Sequence, residues 1–285
     1  MKKVVFSFLV SLFIVQSASA QGDNKVLDGV FIKETSPTRR VIPYTHVREA
    51  DVTYYKRVWR IIDLKEKMNH PLYYPLSPIK EIGYERLSLF DVIKGAVEAG
   101  EMTAYDEDGV GGQFQIPLPK SEAIGKLSKE ISTTDIDPET GLEVESSYNE
   151  VLTAANVKSY RVKEDWFFDR ERSVMEVRII GILPVIETMN TETGTTRKEG
   201  LFWLYFPEAR YVLANHEVYN TQNDGSRMTF EDLFRKRMFS GFIYKETNVY
   251  DNRILDDYTR NLDRLLEAQK IQQEIVNFEH DMWEY

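Results

Sequence analysis

The chain has 285 residues and no cysteine, and its 36 basic and 46 acidic residues give a formal charge of −10. The absence of cysteine excludes disulfide bonds, a thiol nucleophile and cysteine-ligated metal sites. The negative charge argues against nucleic acid or bare anionic lipid as a partner, because both are negative themselves. It would suit a basic protein partner, although most acidic surfaces are simply solvated.

Residues 1–20 are predicted to be a secretory signal. Two lysines, at 2–3, precede an apolar run over 4–15 that is too short to span a bilayer. The triplet Ala-Ser-Ala at 18–20 matches a signal-peptidase site, so the mature chain is expected to begin at Gln21. Cleavage there leaves 34 basic and 46 acidic residues, a formal charge of −12. No cysteine follows the site, so the sequence itself offers no lipid attachment.

Residues 21–43 are polar, carry prolines at 37 and 43, and are predicted to form a flexible N-terminal arm. A small apolar cluster in the arm includes Val30 and Phe31. Two interpretations stay open, a disordered linker or an arm that becomes ordered on a neighbouring subunit. Val30 and Phe31 are the candidate partner contacts of this segment. The remainder, 44–285, is predicted to be a single domain.

Residues 48–67 are predicted to form a helix. Val58 lies three or four positions from four other large residues, the spacing of one helix face (Tyr54, Tyr55, Ile61 and Ile62). Acidic residues near the start and lysines near the end suit the helix dipole. Trp59 is expected in the core.

A loop held by two prolines is predicted next, in the run Asn-His-Pro-Leu-Tyr-Tyr-Pro at 69–75. Tyr73 and Tyr74 are candidate partner anchors, because large aromatic side chains are favoured at the centres of interfaces. Ordinary packing of both rings is the alternative.

Three further helices are predicted from their end signals and apolar spacing. Ser88 caps the first, which Gly100 ends, and Thr229 caps a second that runs through Met238. A long C-terminal helix is expected over 254–283, where the apolar stripe drifts in register. That drift favours a helix docked on its own domain over a coiled coil.

The centre of the chain, at about 160–213, is predicted to be an antiparallel meander. Apolar residues alternate with polar ones over 160–168, a second run covers 175–185, and 201–206 is apolar on both faces. Polar turns separate the three runs. The predicted fold class is therefore α+β, a central antiparallel meander flanked by helices with a long C-terminal helix.

Two acidic strings, at 106–111 and 135–141, are similar to calcium loops but fail the EF-hand pattern. The twelfth position, which should be glutamate, is Pro117 in the first string and Ser146 in the second. Turn chemistry explains these acidic residues, so no metal site is predicted.

No catalytic or cofactor motif is found, and the four histidines lie at no metal-ligand spacing. The best enzymatic candidates are four carboxylates around Trp166, because glycosidases use carboxylate pairs beside aromatic rings (Glu164, Asp165, Asp169 and Glu171). Strand alternation puts Glu164 and Asp165 on opposite faces. No catalytic residue is therefore assigned, and a secreted glycan-binding or glycan-cleaving protein is kept as the alternative function.

Three separated segments resemble the GldN/PorN family. They are the run from Lys56 to Pro75, the pair of runs at 164–169 and 178–185, and the stretch 229–247. That family supplies periplasmic components of the gliding and type IX secretion machinery of Bacteroidetes. The resemblance implies a non-catalytic structural subunit that self-associates in a periplasmic ring with a GldK/PorK-like outer-membrane lipoprotein. It also implies contact with a GldM/PorM-like inner-membrane protein, and a place at the inner face of the outer membrane.

Overall fold

The computed structural model describes residues 30, 39–81, 84–107, 114–136, 143–189, 196–223, 225–249, 255 and 262–282, with the backbone alone for 129–150 and 189. Apart from Val30, they belong to one unit, Thr35–Tyr285. The fold is α+β, as the sequence predicts. No helix in these ranges is long and apolar enough to cross a membrane.

The described strands form one main sheet and three small hairpins. In chain order they are β1 (Val52–Asp63), β2 (Ile79–Glu81), β3 (Tyr84–Arg86), β4 (Ala104–Tyr105), β5 (Ser128–Ile136), β6 (Glu143–Val151), β7 (Val157–Asp169), β8 (Val174–Met189), β9 (Thr196–Gly200), β10 (Trp203–Tyr205), β11 (Glu217–Val218), β12 (Met228–Thr229) and β13 (Phe242–Glu246). The seven-stranded sheet has the order β13-β1-β7-β8-β10-β4, and β9 pairs with β8 as well. All its pairings are antiparallel.

Six α-helices accompany these strands in the described ranges. They are α1 (His70–Tyr73), α2 (Leu89–Ala99), α3 (Lys120–Lys126), α4 (Phe206–Leu213), α5 (Phe230–Arg235) and α6 (Leu262–Asp281). Short 3₁₀ turns occur at Glu49–Asp51, Lys67–Asn69 and Ala154–Asn156.

The main core lies between one sheet face and helices α2, α4 and α5. Tyr160 and Val162 of β7 and Ile182 of β8 are buried there against the helices. Residues that alternate with these point to the opposite face. On that face Trp59, Leu183, Val185 and Trp203 form a smaller cluster, which contains no residue of the described helices. The sheet thus has a helical face and an open face.

The central meander is confirmed, because β7, β8 and β10 pair in sequence as antiparallel neighbours. Its predicted end is wrong, since 206–213 forms helix α4 rather than strand. Pro207 stands in the first turn of α4, where its missing N–H removes no helical hydrogen bond.

The helix predicted over 48–67 is wrong, because residues 52–63 form strand β1. This strand lies between β13 and β7, so its middle is buried on both faces. Large residues at consecutive positions then satisfy a helical spacing as well as an alternating one. Trp59 is in a core, as expected, but on a strand.

The other helix signals fit the structure in large part. Ser88 Oγ accepts a hydrogen bond from Asp91 N at 3.1 Å, and Gly100 ends α2 with a φ of 84°. Thr229 and Asp232 form a reciprocal cap at the start of α5, which ends at Arg235 instead of Met238. The long C-terminal helix is confirmed over Leu262–Asp281.

Candidate interaction surfaces

Glu164 is a buried member of an ion cluster on the helical face. Its carboxylate accepts hydrogen bonds from Arg237 Nη2 at 3.0 and 3.1 Å and from Trp166 Nε1 at 3.1 Å. Arg60 Nε lies 3.6 Å away. Burial lowers the pKa of Arg60, and Glu164 opposes that change. The carboxylate that the glycosidase hypothesis puts beside Trp166 is thus fully buried and held by two arginines.

The next two candidate carboxylates are also engaged with arginines. Asp165 makes a two-bond pair with Arg57 at 2.6 and 2.7 Å. Asp169 accepts from Arg172 Nε at 2.7 Å, and this bond lowers the pKa of its carboxyl group. A glycosidase acid needs a raised pKa instead. These carboxylates therefore fix β7 and its turn.

No group of three or more His, Asp or Glu within the described ranges is arranged to hold a metal ion. In the first acidic string, Asp106 accepts from Lys126 Nζ at 2.8 Å, which lowers the pKa of that carboxyl group. The rest of that string, from 108, lies outside the described residues. So does 137–141 of the second string, while Asp135 is in strand β5.

The structure separates the two candidate tyrosines. Tyr73 belongs to the short helix α1, not to a loop, and its ring packs against the main core. Tyr74 follows the helix with 44% of its surface exposed, and its ring meets those of Tyr73 and His70 edge to face. Other exposed large apolar residues lie within the same stretch of chain, namely Met68, Leu76 and Ile79. We call residues 68–79 the aromatic segment.

Residues 39–46, which we call the strap, bind to the domain. The Tyr44 ring makes cation–π contacts with two guanidinium groups, and its centroid lies 4.0 Å from Arg210 Cζ and 5.0 Å from Arg178 Cζ. Arg210 also donates to the Ile42 carbonyl at 2.7 Å and pairs with buried Glu231 at 2.7 Å. The last part of the predicted arm is therefore in contact with α4 and α5. Val30 is 99% exposed, and Phe31 lies outside the described residues.

A groove of about 380 Å³ crosses the open face of the sheet, and we call it the sheet groove. Strands β13, β1, β7, β8 and β9 and the start of α6 all contribute to its walls. Five of its side chains are basic and two are acidic (Lys65, Lys158, Arg161, Lys198 and Arg264; Asp63 and Glu187). Burial raises the pKa of Tyr244 in the same wall to about 12, so its hydroxyl stays protonated. The groove is cationic in an anionic protein.

Comparison with known protein families identifies the family of this chain. Residues 47–284 match the family described as gliding motility associated protein GldN. The chain is a member of the GldN family. It is therefore a component of the gliding-motility and type IX secretion machinery. A search of curated proteins gives no match.

The GldN match contains the aromatic segment, the sheet groove and the β5–β6 hairpin. Val30 and Phe31 precede it, and so does Tyr44 of the strap. The two sets of candidate contacts thus lie in different parts of the chain: the tyrosines in the family domain, and the apolar arm residues before it.

Sequence patterns missed two features of this GldN-family domain. The strap depends on pairs far apart in the chain, since Arg210 and Ile42 are 168 positions apart. The groove collects basic residues from β7, β9, helix α6 and the turn after β1, and these residues form no basic run in the sequence. Only the isolated Tyr44 after Pro43 offered a local signal.

Proposed function

We propose that this GldN-family chain is a non-catalytic structural subunit of a periplasmic ring. In this proposal it binds a GldK/PorK-like outer-membrane lipoprotein, contacts a GldM/PorM-like inner-membrane protein and associates with further copies of itself. The lipidated partner keeps it at the inner face of the outer membrane. Family membership and the predicted signal support this placement.

The observation that carries the proposal is the aromatic segment. Tyr74 exposes a large ring between Met68 and Ile79, two further exposed apolar residues of one short stretch. Several exposed apolar side chains close together in the chain are typical of a surface that binds a partner. Tyrosine also suits an interface, since its hydroxyl can remain solvated while the ring is buried. We assign the lipoprotein contact to this segment.

The carboxylates around Trp166 support the non-catalytic part of the proposal. A hydrolase of glycans would need two accessible carboxyl groups beside the substrate. Glu164 is buried under Arg237, and Asp165 is bound to Arg57 on the opposite face. Both groups serve the fold in this arrangement.

The test separates Tyr74 from Tyr73. Tyr74→Ala should weaken capture by the lipoprotein by about 2 kcal/mol or more while the melting temperature stays close to that of the wild type. Tyr73→Ala should instead lower the melting temperature, because its ring packs against the core. Pull-down with the lipoprotein reports binding, and thermal melting reports the fold.

Tyr211→Ala is the matched control, since it removes an even more exposed tyrosine from helix α4. It should change neither binding nor melting. Full binding by Tyr74→Ala would move the proposed contact to the arm residues Val30 and Phe31, where the double alanine variant repeats the measurement. If neither change weakens capture, the proposed lipoprotein interface is wrong.

A further inference from the structure

The two residues that flank the β5–β6 hairpin are buried, but neither of its strands pairs with any other described strand. Its nine residue pairs run from Ser128↔Val151 to Ile136↔Glu143. At the base of the hairpin Leu152 N donates to the Leu127 carbonyl at 2.9 Å, and both leucines are buried in the main core. An isolated two-stranded hairpin is marginally stable in water. A ribbon of this length is therefore expected to gain stability from a partner.

The sequence of the two strands is strongly acidic. They contain a single basic residue, Lys129, against five carboxylates (Glu130, Asp135, Glu143, Glu145 and Glu150). An acidic segment associates most readily with a surface of opposite charge. The composition of the two strands therefore indicates a cationic partner.

The sheet groove has the complementary charge and a suitable width. Glu107 is the ion-pair partner of Arg161, and Lys198 lies 3.9 Å from Glu187. Lys65 makes no ion pair with any described residue, and Lys158 Nζ donates to the Ala155 carbonyl at 2.6 Å without pairing with a described carboxylate, so the groove keeps a positive excess. Five strands spaced at about 4.8 Å span about 19 Å, which is wide enough for a ribbon to lie across them with some of its side chains in the groove of about 380 Å³. No described residue of the hairpin is among those that line the groove.

We propose that the β5–β6 hairpin of one copy binds in the sheet groove of a second copy. The contact joins two different surfaces, so it is head-to-tail, and each copy keeps a free hairpin at one end and a free groove at the other. Contacts of this type propagate into a closed ring or an open filament. The inference deepens the self-association part of the proposed function and does not depend on the lipoprotein contact.

A charge exchange tests the pairing in the purified mature protein. The groove variant is Lys65→Glu with Lys198→Glu, and the hairpin variant is Glu130→Lys with Glu145→Lys. In the groove variant an acidic groove faces an acidic hairpin, and in the hairpin variant a basic groove faces a basic hairpin. Either repulsion should raise the dissociation constant for self-association at least about tenfold. An equimolar mixture should associate again, because each groove then meets a hairpin of opposite charge. Sedimentation velocity over a concentration series measures both effects.

Salt and a matched control complete the design. Association of the wild type should weaken as ionic strength rises, since the charges are at the surface. The control variant, Lys80→Glu with Lys270→Glu, changes the net charge by the same amount as the groove variant, but at exposed lysines outside the groove. It should associate like the wild type.

Two outcomes overturn the pairing. One is a wild type that stays monomeric at every concentration; the other is folded variants that do not recover association when mixed. Lipoprotein capture is measured on the same variants. Loss of self-association with intact capture supports the pairing and leaves the lipoprotein contact on the aromatic segment. Loss of capture with intact self-association would overturn the pairing and would also count against the aromatic segment as the lipoprotein contact.

Discussion

At the scale of single residues, Lys163 has unfavourable surroundings for its charge. It is 7% exposed on β7, with its Nζ 5.6 Å from the Trp59 ring centroid and 5.3 Å from that of Phe114. Burial, and next the charge of Arg57, lower its pKa from 10.5 to about 8, while Asp165 opposes the shift. Phe114 packs closely on Gly181 and completes this aromatic enclosure, since a Cβ at position 181 would clash with Phe114 Cζ.

Replacing Lys163 by Met should stabilise the protein at pH 7. Between pH of about 8 and 10.5 the unfolded chain holds a proton that the folded chain has lost, so wild-type stability rises with pH across that window. Below it both states are protonated, and the buried charge costs on the order of 1–3 kcal/mol. The advantage of Lys163→Met should therefore be largest at pH 7 and shrink above pH 8.

Urea unfolding at pH 7 and at pH 9.5 measures this difference, with Lys80→Met as the exposed control. A Lys163→Met variant that is less stable than the wild type at pH 7 would contradict the prediction. It would mean that attraction to the two rings outweighs the loss of hydration.

Contacts of single residues at the candidate sites were also the hardest feature to predict from the sequence. Alternation correctly put Glu164 and Asp165 on opposite faces of one strand. It could not identify their partners, because Arg237 is 73 positions from Glu164 and Arg57 is 108 positions from Asp165. Tyr73 and Tyr74 looked equivalent in the sequence for a similar reason, since the core that buries one of them is built from distant strands and helices.

At the scale of elements, local signals located the helices with explicit caps and the strands with an apolar face. Ser88 and Thr229 are examples, because the cap hydrogen bonds span only three residues. Strand β1 was mistaken for a helix because burial on both faces removes the alternation that would reveal it. The β5–β6 hairpin was missed because its serines, threonines and glutamates give no apolar period. Such strands become visible only through their backbone pairing.

Helix α6 should depend on a few buried residues for its attachment. Ala268, Ile271 and Ile275 pack against Val58 and Ile243, while Arg60 Nη2 donates to Gln272 Oε1 at 2.6 Å. Ile275→Ala should cost about 2–5 kcal/mol of unfolding free energy. Leu265→Ala, at an exposed position of the same helix, should change it by less than about 0.5 kcal/mol. Equal effects in chemical denaturation would show that the helix is not attached through this face.

At the scale of the whole molecule, composition and order of elements predicted an α+β fold without disulfides. The predicted boundary at residue 44 falls within the strap, whose residues Ile42 and Thr45 bind the domain on either side of that point. No spacing rule could place it more closely, because the strap is held by Tyr44, Arg178 and Arg210 rather than by secondary structure.

Export should remove the first twenty residues. N-terminal sequencing of the protein from the periplasmic fraction is expected to begin at Gln21, since signal peptidase requires small residues before the cut. Ala20→Glu should block processing and leave the longer chain in the membrane fraction. Recovery of the wild type with Met1 retained would contradict the predicted signal.

The pairing of β7 on both sides gives the domain a direction-dependent stiffness. Its residues are bonded to β1 along one edge and to β8 along the other for nearly their whole length. Antiparallel hydrogen bonds run across the strands, so a pull along β7 loads both ladders in shear and must break many bonds together. A pull across the sheet reaches the short strands β10 and β4 and can open them one bond at a time. The domain would therefore transmit a load directed along β7 with little deformation.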